Sequence, residues 1–419
     1  MGHSQPTLTL RPSSRAEFLR LDAEDPLAPV REQFDLPAHL IYLDGNSLGA
    51  MPREARNRLS EATSQWAHGL ISSWNDAGWA EAPTRVGDKI GRLLGARPSE
   101  VVMGDNTSVN LYKALNAALS LHRGGAILTD EQNFPTDLYV AEAVAKKWGV
   151  ELRRVPRNQL GEAIQHGVAV VTATHVDYRT GHMLEMREFT KAAHDAGALF
   201  VWDLCHSAGA VPLDLNGADA DLAVGCTYKF LNGGPGAPAY LFAARRFHGD
   251  LNNPIPGWFG HDQPFDFDSG YRPAPDARRF LTGTPAILSV AALEAAIDLW
   301  LTIDIAALVR SKSLVLADLL IDQVRRQSEG FGLELASPED PATRGSQVSF
   351  RHPNAYGIVR ALAEVGVVGD HRPPDIARFG LTPLYTRYVD MWDAAEKLSE
   401  VLRQRTYLAP RFAVKAGVP

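Results

Sequence analysis

Between residues 101 and 243 one pattern repeats: a short run of β-branched or aromatic residues, a turn, then roughly ten residues with apolar positions at helical spacing. Helices are expected over 108–120, 138–148 and 186–196, the last ended by Gly197. Buried strands are expected at 101–103, 126–129, 168–172, 199–202, 222–224 and 239–242. Strands that alternate with helices pair through crossovers, which makes the fold class α/β with a mostly parallel sheet. Such a sheet holds ligands at the carboxyl ends of its strands. The residues just after each run are therefore the ones to read for chemistry.

The rest of the chain reads differently. From about residue 285 to 327 the apolar spacing is helical, with a break near Thr302-Ile-Asp304 that separates a helix leaving one domain from a helix entering another. Beyond Gly330, shorter segments (345–351, 356–364 and 384–405) predict a small α+β C-terminal domain. The first 55 residues are irregular and punctuated by prolines, and are expected to pack on that small domain. The expected division is thus 1–55, 56–303 and 304–419, in keeping with a chain of 419 residues that is too long for one core. Residues 254–275, rich in Pro, Asp and aromatics, form a long loop of the kind that usually serves function or an interface.

Composition narrows the partners. Hydrophobic residues make up 45% and charged residues 22%, as in globular proteins. A net charge of −7 argues against nucleic acid or an anionic membrane as partner. No apolar run approaches the ~18–20 residues of a membrane span. Cys205 and Cys226 are the only cysteines, too few for a disulfide framework and suited to a reducing, cytoplasmic setting. The opening residues Met1-Gly-His-Ser-Gln-Pro6 lack a secretion or myristoylation pattern. No metal site is expected, because Asp203 and His206 have no third ligand at a suitable spacing.

The chemistry centres on Gly225-Cys-Thr-Tyr-Lys-Phe-Leu-Asn-Gly-Gly-Pro-Gly236, where Lys229 follows an apolar run and precedes a glycine-rich turn. Upstream, Ala198-Leu-Phe-Val-Trp-Asp203 ends in an acid 26 positions before that lysine. A lysine at a strand end can form a Schiff base with the aldehyde of pyridoxal 5'-phosphate (PLP). A carboxylate at the neighbouring strand end keeps the pyridine nitrogen protonated, so that the ring draws electrons. A lone lysine after a core strand is ordinarily just solvated, and the neighbours decide between the readings.

Those neighbours are compatible with PLP and with plainer roles. Asp105-Asn-Thr-Ser-Val-Asn110 offers Thr107 and Ser108 at a helix start, either as a phosphate site or as an ordinary cap. Asn133-Phe-Pro-Thr-Asp137 could lay Phe134 on a cofactor ring beside Pro135, Thr136 and Asp137, or simply begin a helix. His206, three residues after Asp203, is either a structural histidine or a buttress for the carboxylate. Arg378 is either solvated or the bidentate partner of a substrate carboxylate. Tyr42-Leu-Asp-Gly-Asn-Ser-Leu-Gly49 reads as a substrate-facing loop or a hairpin. A nucleotide fingerprint and a serine-nucleophile elbow are both missing.

Taken together, the segments resemble the aspartate-aminotransferase fold of PLP enzymes, and within it the class V group of cysteine desulfurases and kynureninases. The carrying motifs are Tyr42-Leu-Asp-Gly-Asn-Ser-Leu-Gly49, Asn133-Phe-Pro-Thr-Asp137, Thr174-His-Val-Asp-Tyr-Arg-Thr-Gly181, Trp202-Asp-Leu-Cys-His206, Cys226-Thr-Tyr-Lys-Phe-Leu-Asn-Gly-Gly234, Pro256-Gly-Trp-Phe-Gly260 and Arg378-Phe-Gly-Leu-Thr-Pro-Leu-Tyr385. Phe134 stands where desulfurases carry histidine, both cysteines lie in the expected cofactor core, and Tyr228 precedes the lysine. These three departures make the resemblance closest to the kynureninase family.

The resemblance implies fold type I, with a seven-stranded, mostly parallel sheet and a small C-terminal domain. It implies PLP as cofactor, with Lys229 as its anchor, Asp203 on the pyridinium and Phe134 stacked on the ring, with His206 and Thr174 around it. Thr107, Ser108 and Tyr228 would take the phosphate side, and Trp258 and Thr284 would reach the cofactor of a neighbouring subunit, which implies a homodimer. Arg378 would hold the carboxylate of an amino-acid substrate, with Asn46, Ser47 and Trp74 on the substrate side. The implied reaction is hydrolysis of L-kynurenine to anthranilate and L-alanine in tryptophan catabolism, with Lys229 as base, its pKa lowered by burial and the nearby cofactor, and Tyr228 as acid. Two rivals are kept: another lyase or aminotransferase of this fold, and a catalytically silent scaffold.

Overall fold

The computed structural model describes residues 12–122, 124–267 and 269–412, so the opening hexapeptide read above lies outside the described residues. Two compact units emerge from the chain. The larger holds Glu54–Tyr178 and Leu184–Thr302, and the smaller holds the residues up to Arg53, Arg179–Met183 and Ile303 onward.

The larger unit is built on a seven-stranded sheet. Its strands are β1 (Val101–Met103), β2 (Ala126–Asp130), β3 (Leu152–Val155), β4 (Val168–Thr174), β5 (Leu199–Asp203), β6 (Leu222–Gly225) and β7 (Tyr240–Ala243). They lie in the order β1-β7-β6-β5-β4-β2-β3. Only β7 runs against its neighbours, so the other six strands end at one edge. Every residue of β4, β5 and β6 is buried, which is why they read as unbroken apolar runs rather than alternating ones. Helices α1 (Ala82–Leu93), α2 (Thr107–Leu121), α3 (Pro135–Trp148), α4 (Met186–Asp195) and α5 (Ile287–Trp300) belong to this unit. Leu111, Leu115 and Leu119 of α2 join Val170, Val201, Val224 and Leu241 of the sheet in one core.

Two details depart from the sequence reading. Helix α3 starts at Pro135, three residues before the apolar spacing begins, because proline fits the first helical turn, where no N–H is needed. Strand β3 was not expected at all. It pairs only with β2, at the sheet edge, and its two arginines interrupt the apolar pattern.

In the smaller unit, β8 (Glu334–Leu335), β9 (Gln347–Arg351), β10 (Asp370–Arg372) and β11 (Ile376–Gly380) form an antiparallel sheet in the order β8-β9-β11-β10. Helices α6 (Ser311–Gln327), α7 (Ala355–Glu364) and α8 (Tyr388–Gln404) complete its core. The helix Arg15–Ala23 lies on α8, with Phe18 edge-on to Trp392 at 5.6 Å and Asp22 accepting the first amides of α8. The excursion Arg179–Met183 is stitched in by Gly345 N donating to Gly181 O (2.7 Å) and Ser349 Oγ to Arg179 O (2.6 Å). Among the described residues no helix is long and apolar enough to cross a membrane.

Candidate active site

At the carboxyl edge of the large sheet, β5 ends at Asp203 and β6 at Gly225, with Asp203 paired to Val224 in register. Gly225 has to be glycine, since a Cβ there would lie 2.2 Å from the hydroxyl of Tyr240, its cross-strand partner. The chain then closes a turn: Gly233 N donates to Thr227 O, Asn232 N to Lys229 O (both 2.9 Å), and Thr227 Oγ1 to Pro238 O (2.6 Å). Lys229 projects from that turn, its Nζ 3.0 Å from His206 Nε2. His206 comes from the turn after β5, fixed by Cys205 N donating to Asp203 Oδ1 at 2.6 Å. Thr174, at the end of β4, is the register partner of Asp203 on its other side.

The charges at this edge are unequal. Asp137, near the start of α3, is held well above the usual carboxylate range by burial, and then by the charge and hydrogen bond of Asp203. Its Oδ2 is buried without a partner. Burial pushes the Tyr228 phenol up to about 12, so it keeps its proton at neutral pH. For Lys229, burial works to lower the amine, but Cys226, Cys205, Tyr228 and Asp203 outweigh it and leave the pKa raised. Burial alone does not lower the amine, because the strand ends crowd acids around it.

The other expected residues fall into separate groups. Thr107 and Ser108 open α2 behind the cap residue Asn106, whose side chain accepts from Val109 N. Thr107 Oγ1 lies 3.6 Å from Cys205 Sγ, beside the Asp203 turn. Phe134 and Pro135 are exposed and Thr136 half-buried at the start of α3, with Phe134 edge-on to Tyr178 at 5.3 Å. Trp258 belongs to an aromatic cluster with Phe259, Phe265 and Phe267. Trp74 joins that cluster through Phe259, at 6.1 Å. Thr284 is exposed and lines a cavity of about 300 Å³ with Asp105 and Gly236.

Arg378, Asn46 and Ser47 meet in the smaller unit. Register pairs Asp370 with Arg378, and the carboxylate grips the guanidinium through Nε (2.7 Å) and Nη2 (2.5 Å). Ser47 Oγ donates to Asp370 at 2.9 Å and accepts from Arg378 and Arg372, each at 3.1 Å. The Asn46 amide accepts from Arg378 Nε at 3.0 Å and donates to Asp44 at 3.3 Å. Gly380 leaves room for it, since a Cβ there would sit 1.9 Å from the Asn46 side chain. Burial, and then the charge of Asp370, raises Asp44 to about 7.

A model of the kynureninase C-terminal domain matches residues 309–398. Kynureninase of Burkholderia pseudomallei (strain K96243) is 47% identical over 414 residues, covering 97% of this chain and 99% of that protein. Kynureninase of Pseudomonas fluorescens is 46% identical over 415 residues, covering 97% and 100%. The chain belongs to the kynureninase family. Among solved structures, the apo cysteine desulfurase of Thermococcus onnurineus NA1 matches with a TM-score of 0.76 and 21% identity, over 90% of this chain and 98% of that one. A C-DES variant with glycine covalently linked to its PLP cofactor matches with a TM-score of 0.77 and 19% identity, over the same shares. These structures share the fold, fold type I.

Kynureninases are PLP-dependent hydrolases that bind an amino-acid substrate. The residues of this chain fit the cofactor: a half-buried lysine in a tight turn, a carboxyl pair with one oxygen left unsatisfied, and two hydroxyl residues opening a helix of 15 residues. A persulfide route, the desulfurase alternative, finds both thiols buried in the larger unit, Cys226 N donating to Cys205 Sγ at 3.2 Å. Sequence reasoning missed Asp44 and Asp370, the acids of the arginine cluster. Asp44 lay inside a quoted motif, and a hairpin of 370–372 with 376–380 would have put Asp370 opposite Arg378.

Proposed function

We propose that this chain hydrolyses L-kynurenine to anthranilate and L-alanine with PLP, and that the residues gathered at the carboxyl edge of the large sheet do the work. The observation that carries the reading is full-length identity of 46–47% to kynureninases. Bound PLP supplies an electron sink conjugated to the substrate carbon skeleton.

The protein's part is binding and proton handling. Lys229 would anchor the cofactor aldehyde, and its free amine would move a proton at the substrate Cα. His206, 3.0 Å from its Nζ, orients that amine. Asp203 would face the pyridine nitrogen, with the buried Asp137 carboxyl, held above the usual carboxylate range, beside it. Phe134 would cover the ring, with Thr174, Pro135 and Thr136 beside it, and Thr107 and Ser108 would receive the phosphate. Tyr228, still protonated at neutral pH, delivers the proton that completes L-alanine. Arg378, with Asn46 and Ser47, holds the substrate carboxylate.

Trp258 and Thr284 serve a neighbouring subunit, so the working form is a homodimer, and the setting is the cytoplasm. Trp74 and the exposed Gly283–Thr284 pair offer few polar partners for a ring hydroxyl, so kynurenine is preferred to 3-hydroxykynurenine. Comparing kcat/KM for the two substrates tests that preference, and equal values would refute it. The main test is an absorbance scan of the purified protein before and after L-kynurenine, with anthranilate fluorescence as readout. A colourless protein, or keto-acid formation without anthranilate, would overturn the assignment.

A further inference from the structure

Helix α2 carries a lysine that none of the roles above uses. Lys113 is 0% exposed, and its Nζ donates to Asp105 Oδ2 at 2.5 Å and to Phe280 O at 2.6 Å. Asp105 sits in the turn between β1 and α2, two residues before Thr107, with φ at +50°. A residue with a Cβ pays steric strain in that left-handed region, so something must hold it there.

The holding groups are all at hand. Thr282 Oγ1 donates to Asp105 Oδ1 at 3.2 Å, and Ala239 N donates to Asp105 O at 3.0 Å. Gly104 N donates to Ala239 O and Asn110 Nδ2 to Gly104 O, both at 2.9 Å. Of these groups, only Lys113 joins the Asp105 carboxylate both to the body of α2 and to the backbone at Phe280. An apolar pair of the same volume would stabilise the fold as well as a buried ion pair does. It would not fix the turn from which α2 starts.

We propose that Lys113 and Asp105 are positioning residues for the cofactor phosphate: the buried ammonium pins the left-handed turn so that Thr107, Ser108 and the first free amides of α2 converge on one anion. The proposal rests on the reading of the cofactor site given above. Neither residue touches the cofactor in it, and both act through the orientation of the helix start.

The phosphate makes the proposal separable from a general structural role. Full-length protein stripped of cofactor is titrated with PLP and, in parallel, with pyridoxal, which has the ring and aldehyde but no phosphate. Lys113→Met and Asp105→Asn are each expected to weaken PLP binding by about tenfold, the size of one misaligned charged hydrogen bond, and to leave pyridoxal binding unchanged. The double variant should bind PLP no worse than the weaker single, because the two residues act as one device. Equal losses for PLP and pyridoxal, or unchanged PLP affinity, would overturn it. If Lys113→Met does not fold, Asp105→Asn, which keeps size and shape, decides the matter. Wild-type protein that takes up neither compound would remove the cofactor reading and this inference with it.

Discussion

The two polar clusters solve opposite problems. At the edge of the large sheet a single amine, Lys229, stands among groups that can lose a proton: Cys205, Cys226, Tyr228 and Asp203. In the smaller unit a permanently charged guanidinium, Arg378, is clasped by Asp370, Ser47 and Asn46. The first arrangement leaves room for protons to move, with Asp137 and Tyr228 both held above their ordinary values. The second has a planar cation held in one orientation by its partners. In the proposed function, the former does the chemistry and the latter the recognition.

That contrast can be broken most sharply at Lys229. Lys229→Ala should remove the absorbance band of lysine-bound cofactor and abolish turnover; a surviving band would end the proposed anchoring role. Next comes Tyr228→Phe, expected to slow kcat by roughly 10²–10⁴, the usual worth of a placed acid. Turnover at the wild-type rate would take the proton-delivery role from Tyr228. Arg378→Lys keeps the charge but loses the planar fork, and should lower kcat/KM by about 10–100-fold, mostly through KM. A fall confined to kcat would mean that the arginine belongs to the chemistry after all.

The smallest effect concerns Asp44. Its folded-state pKa of about 7 lies above the usual 3.8, so the folded form binds the proton more tightly than the unfolded chain does. Stability therefore falls as pH rises from the ordinary carboxylate range through about 7, and is level beyond. Asp44→Asn lacks this loss, and should gain on the wild type by about 1–2 kcal/mol between pH 6 and pH 8.5 in urea unfolding. A difference that does not change with pH would show that Asp44 does not titrate there.

Legibility in the sequence followed the same divide. The large sheet could be read because its strands are buried on both faces, and because Asp203, His206, Tyr228 and Lys229 sit within a few residues of strand ends. Strand β3 escaped because an edge strand with Arg153 and Arg154 carries no apolar run. Around Arg378 the partners come from residues 44–47 and 370–372, brought together by antiparallel pairing that spacing along the chain does not encode. Asp370 was invisible for that reason, although Arg378 itself stood in a motif. The Lys113–Asp105 pair was hidden differently: a lysine in an apolar helix looks like a surface residue until its burial is known.

The excursion Arg179–Met183 has a consequence for how such a protein can change over generations. The polypeptide passes from one unit to the other four times: after Arg53, Tyr178, Met183 and Thr302. Neither unit is therefore a contiguous cassette. A single crossover in the gene cannot exchange one unit for a foreign counterpart without also bringing in, or leaving behind, the five-residue stitch. Recombination that exchanges one unit whole is thus confined to joints that respect all four passages.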